Sequence, residues 1–62
     1  MNKRYTIEKQ LWEEWYKVPL GLDDPREFTE VVEYAWYCLM DYRKQFSASD
    51  FRLIEWSGKE IK

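Results

Sequence analysis

The chain has 62 residues and a formal charge of −2, with four tryptophans, five tyrosines, three phenylalanines, a single cysteine and no histidine. A domain this small buries only about 60% of the surface its unfolded form exposes, so its stability is thin, and one cysteine cannot build a disulfide framework. Without histidine, most zinc sites, serine triads and histidine acid–base chemistry are excluded. The sequence is read as one domain spanning 1–62, with no catalytic residue, metal ligand set or cofactor expected.

Charge and hydropathy narrow the partners. The basic residues Lys3, Arg4, Lys17, Arg26, Arg43 and Lys44 are scattered and the pI is about 5.0, so direct nucleic-acid binding is not expected. No apolar run approaches the ~20 residues of a membrane span, and the N-terminus lacks the apolar stretch of a signal peptide. The expected location is the cytoplasm, with Cys38 a reduced, buried, apolar-like residue.

Tyr5 to Trp12 alternates as a strand: Tyr5, Ile7, Lys9 and Leu11 point one way, and Thr6, Glu8, Gln10 and Trp12 the other. A second run, Trp15 to Leu20, follows Glu13-Glu14. Pairing the two as a hairpin, with either a two-residue or a four-residue loop, puts Leu11 opposite Tyr16, Lys9 opposite Val18 and Ile7 opposite Leu20. Tyr5, Ile7, Leu11, Tyr16, Val18 and Leu20 then share an apolar face, on which Lys9 must snorkel. Glu-Glu lacks the residues that favour tight turns with φ > 0, so a wider or irregular loop is expected. Pro19 places the second strand at an edge or near its end.

Asp24-Pro25-Arg26-Glu27 reads as the N-cap and first turn of a long helix. From there Phe28, Val31, Val32, Ala35, Cys38, Leu39, Tyr42 and Phe46 recur at helical spacing, and the predicted stop is Ser47-Ala48-Ser49-Asp50. Asp23-Asp24 with Glu27 is the one tight carboxylate cluster, and the helix start accounts for it. Phe51 to Trp56 closes the fold as a third strand. Ser57-Gly58 is a turn or bulge, and Lys59-Glu60-Ile61-Lys62 an extension or a frayed end.

The predicted fold is α+β with a ββαβ order: a three-stranded, mainly antiparallel sheet of order 2-1-3 with one long helix on one face. Order 1-2-3, with a parallel pair, is the alternative that Pro19 disfavours. One helix covers one face only, so Trp12, Trp15, Ile54 and Trp56 are expected on the other, where contiguous apolar surface marks an interaction site. The competing reading is that Trp12 and Trp15 pair across the turn and merely brace the hairpin. Glu30, Glu33, Tyr34, Tyr37 and Asp41 form a second candidate surface, an acidic, tyrosine-bearing helix ridge opposite the core. The competing reading there is an ordinary solvated helix face.

The order of these elements, from strand Tyr5–Trp12 and a second strand ending at Leu20 through Asp24-Pro25-Arg26-Glu27 to Phe51–Trp56, resembles small bacteriophage-encoded accessory proteins. These include inhibitors of host RNA polymerase, antitoxins and anti-CRISPR proteins. The resemblance implies stoichiometric binding and inhibition of a larger host protein or protein–nucleic-acid complex. The alternative is a structural or regulatory homo-oligomer, a homodimer in its simplest form, that packs its exposed tryptophan face against a second copy.

Overall fold

The computed structural model describes residues 3–55 and the backbone of residues 60–61. Five elements follow one another: β1 (Tyr5–Leu11), β2 (Glu14–Val18), α1 (Val32–Gln45), β3 (Phe51–Glu55) and β4 (Glu60–Ile61). The strands form one antiparallel sheet of order β2-β1-β3-β4. The fold is therefore α+β, with β2, β1 and β3 in the expected order 2-1-3 and the two-residue β4 added outside β3. Helix α1 lies over β1 and β3, and β2 projects from beneath it.

Alternation decides what is buried. Ile7 of β1 and Phe51 and Leu53 of β3 point at the helix, whose Ala35, Cys38 and Leu39 point back, and Leu20 joins them from the loop. Full burial of a side chain such as Leu39 is worth about 1.5–3 kcal/mol. Tyr5, Val18, Tyr34, Trp36 and Tyr42 pack partly against this cluster. Tyr42 stacks on Phe51 at 4.9 Å between centroids, and its hydroxyl donates to the Pro19 carbonyl at 2.6 Å. That bond fastens the helix to the end of the hairpin.

The hairpin differs from the sequence reading. Its turn is the two residues Trp12-Glu13, and Leu11 faces Glu14, Lys9 faces Tyr16 and Ile7 faces Val18. The register is displaced by two residues, so every strand side chain keeps its expected face. The reason lies at Pro19. In the predicted register it would sit inside the paired strand opposite Glu8, where its missing N–H is a liability. The observed register leaves it beyond Val18 and frees Leu20 to turn into the core. The cost falls on Trp12, whose φ is 61°.

The helix also starts later than its capping signal. It begins at Val32, behind Val31, which makes no side-chain capping bond. Tertiary pairing has claimed the preceding residues: Tyr5 and Thr29 exchange backbone hydrogen bonds at 2.8 and 3.0 Å, and Thr6 Oγ1 donates to the Glu27 carbonyl at 2.6 Å. These bonds tie Glu27 and Thr29 to the start of β1, and the backbone there is not helical. Phe28 and Val31, read as core, are consequently exposed, as is Phe46 beyond the helix end.

Candidate functional site

The β1–β2 hairpin is the first candidate. Its tip carries Trp12, which is 90% exposed, in a conformation that non-glycine residues adopt rarely and that costs about 1–3 kcal/mol. Glu13 and Glu14 follow it directly, so an exposed indole is flanked on one side by two carboxylates. Leu11 and Tyr16, expected in the core, are 50% and 47% exposed. They do lie on the helix-side face, but near the hairpin end: Leu11 is the last residue of β1 and Tyr16 belongs to β2, which α1 does not cover. The Tyr16 hydroxyl donates to Glu14 Oε2 at 2.6 Å, and that bond raises the phenol pKa above its ordinary value.

Trp15 and Ile54 stand on the face opposite the helix, as predicted, each half-buried. Trp56 lies outside the described residues. Trp12 is in the turn and does not share that face, and Trp15 stands opposite Gln10. The predicted pairing of Trp12 with Trp15 is therefore absent from the cross-strand register. Trp15 has another neighbour: the Arg52 guanidinium lies 4.1 Å from its ring centroid. Arg52 also reaches Glu8 Oε1 through Nη2 at 2.7 Å and Nε at 2.8 Å. The open face thus carries a Glu8–Arg52–Trp15 stack that sequence reasoning missed. Its signal exists only in the pairing of Glu8 with Arg52 and Lys17 across three strands.

The helix ridge is divided by the fold. Glu33, Tyr37 and Asp41 lie on α1 and Glu30 in the loop before it. Tyr37 is 68% exposed, but Tyr34 is half-buried and packs on the core. The Tyr34 hydroxyl donates to Asp24 Oδ2 at 2.7 Å, and its ring stacks on Tyr37 at 6.4 Å. Arg26 grips the same carboxylate, Nε to Oδ1 at 2.9 Å and Nη2 to Oδ2 at 2.8 Å. Those bonds, Arg26 first and Tyr34 second, hold the Asp24 carboxyl well below the usual carboxylate range. The Tyr34 phenol is pushed up to about 12, by its bond to Asp24 and then by the neighbouring Cys38 thiol and burial. Burial pushes the Cys38 thiol up as well, which disfavours the thiolate.

Between this loop and the helix runs a groove of about 340 Å³, bounded by Leu20, Leu22, Asp24, Tyr34, Tyr37 and Asp41. Among the described residues, no group of three or more His, Cys, Asp or Glu side chains could hold a metal ion, and no helix is long and apolar enough to cross a membrane. No protein-family model, curated protein or solved structure matches this chain.

Proposed function

We propose that this is a small non-enzymatic protein that binds and inhibits a larger host macromolecule, in the manner of phage or mobile-element proteins for counter-defence or host takeover. The observation that carries the reading is Trp12, a large apolar side chain fully presented at a hairpin tip on a backbone with φ of 61°. The register that buries Leu20 imposes the strained turn, but a glycine would fill that position without strain, so a large apolar ring held there in solvent points to a role in contact with another molecule. Tryptophan is also the residue most enriched among interface hot spots.

Glu13 and Glu14 beside it favour a protein partner with an apolar pocket and a basic rim, and disfavour phosphate backbones and anionic membranes. The test is capture of stoichiometric partners from host lysate with the wild-type chain and with Trp12→Ala. A partner retained by the first and weakened by about 2 kcal/mol or more in the second, at unchanged melting temperature, supports the reading. Equal retention by both chains removes Trp12 from the interface, and recovery of no stoichiometric partner under several host conditions counts against binding altogether.

A further inference from the structure

The groove between the Leu20–Asp24 loop and α1 contains the same pair of groups twice, a carboxylate with a tyrosine ring, and only one pair is filled. In the first, Asp24 accepts from the Tyr34 hydroxyl and Arg26 completes the set. Its guanidinium grips both Asp24 oxygens, at 2.9 and 2.8 Å, and lies 5.7 Å from the Tyr34 ring centroid. In the second, Asp41 follows Tyr37 by four residues, the spacing that puts two helical side chains on one face. Asp41 Oδ2 accepts from the neutral Gln45 amide at 2.8 Å, which leaves its charge uncompensated. Asp23 lines the same groove from the loop. Among the described residues, no cation pairs with Asp41 or Asp23. Arg26 is committed to Asp24, and Arg43 donates to the Phe51 carbonyl at 3.1 Å. Lys44 shares a neighbouring depression with Tyr37 and Asp41 but forms no ion pair there.

We propose that the Tyr37–Asp41 end of this groove takes the guanidinium of an arginine from another protein, seated as Arg26 is seated on Asp24 and Tyr34. Charge selects the cation, because the carboxylates of Asp23, Asp24 and Asp41 are met by Arg26 alone. A guanidinium is favoured over an ammonium because its planar fork can bond a carboxylate while its face lies on an aromatic ring. The volume of about 340 Å³ leaves room for the aliphatic stem of the incoming side chain beside Leu20 and Leu22.

The rim selects a protein segment over a free small cation. Leu22, Tyr37 and Met40 are 76%, 68% and 61% exposed. Residues flanking the incoming arginine would cover this apolar surface, whereas a free amino acid or polyamine would leave it in water. The site is separate from Trp12, which lies in the β1–β2 turn, while the groove begins at Leu20, past the far end of β2. It therefore stands or falls independently of the Trp12 contact.

The test titrates three probes into the isotope-labelled chain and follows its amide resonances. They are acetyl-Leu-Arg-Leu-amide, the same tripeptide with citrulline, which keeps the shape of arginine without its charge, and acetyl-arginine-amide. The arginine tripeptide should shift Leu22, Tyr37 and Asp41 foremost, with millimolar affinity. Acetyl-arginine-amide should bind there several-fold more weakly, and the citrulline tripeptide should leave the spectrum unchanged. Asp41→Asn, which can still accept from Gln45, should weaken the arginine tripeptide by about tenfold, as loss of one charge-assisted pair predicts. Tyr37→Ala should weaken it several-fold, both variants melting as the wild type does, and Trp12→Ala should bind as the wild type does. Absence of binding, shifts confined to other surfaces, equal binding of the citrulline tripeptide, or unaltered affinity in Asp41→Asn would overturn the proposal. Equal affinity for the tripeptide and acetyl-arginine-amide would overturn the choice of a protein segment and make the occupant a small free cation.

Discussion

The Tyr34 hydroxyl donates to Asp24 Oδ2 at 2.7 Å, joining the first turn of the helix to a loop residue ten positions earlier. Asp24 therefore does for the tertiary structure what it was expected to do for the helix: it accepts N–H and O–H donors at the start of the helical half of the chain. Because Arg26 grips the same carboxylate, loop and helix are coupled through a single ionised group.

That coupling sets a pH dependence. The folded-state pKa of Asp24 is depressed below its unfolded value, near 3.9. The stabilisation is therefore present above about pH 4 and is lost as pH falls below it, because the unfolded chain then binds the proton more readily. The Tyr34 phenol is raised instead, to about 12. Its contribution is complete below pH ~10, the unfolded value, and declines as pH rises from there through 12. Melting temperatures measured from pH 2 to 5 should fall more steeply for the wild type than for Asp24→Asn. Tyr34→Phe should flatten the alkaline side. Parallel curves for wild type and Asp24→Asn would show that the carboxylate is not coupled to folding.

Helix α1 buries one side only, and two substitutions test that. Leu39 is fully buried, and Leu39→Ala should cost about 2–5 kcal/mol by urea unfolding, which a domain this small has little reserve to absorb. Tyr37→Ala should change stability by about 0.5 kcal/mol or less, since its ring is mostly in solvent. Comparable large losses at both sites would mean that the helix is packed on two sides.

The open face depends on Arg52. Its guanidinium is shared between the Trp15 ring and Glu8 Oε1, so Trp15 and Arg52 should be energetically coupled. A double-mutant cycle of Trp15→Ala and Arg52→Ala should return a coupling of about 0.5–1 kcal/mol. A value indistinguishable from zero would leave the stack a contact without energetic consequence.

Strand and helix identity was legible because each rests on local periodicity. The alternation from Tyr5 to Leu11 and the spacing of Ala35, Cys38 and Leu39 are visible in the chain itself. What escaped depends on distant residues. No local signal says that Glu27 and Thr29 will bond to Thr6 and Tyr5, and that pairing overrode a good capping sequence at Asp24. The turn position escaped for a related reason. Trp12 has no propensity for φ > 0, and only the need to place Pro19 outside the strand and Leu20 in the core selects that register. Of the candidate site, the exposure of Trp12 and Tyr37 was readable. The division of the helix ridge at Tyr34 was not, since it follows from where the Asp24 loop lies.

Trp12 yields the sharpest test, because glycine removes its ring and its backbone strain together. At φ of 61° a glycine sits without penalty, while alanine stays strained. Trp12→Gly should therefore raise stability by about 1 kcal/mol in thermal or urea unfolding, and Trp12→Ala should leave it within about 0.5 kcal/mol. If the indole is a partner anchor, both variants should lose binding equally, so that Trp12→Gly is a more stable and less active protein. A stabilised variant that loses function is expected where strain is kept for use. Loss of stability in both variants would instead assign the ring a packing role within the hairpin, and Trp12 would no longer be a candidate contact residue.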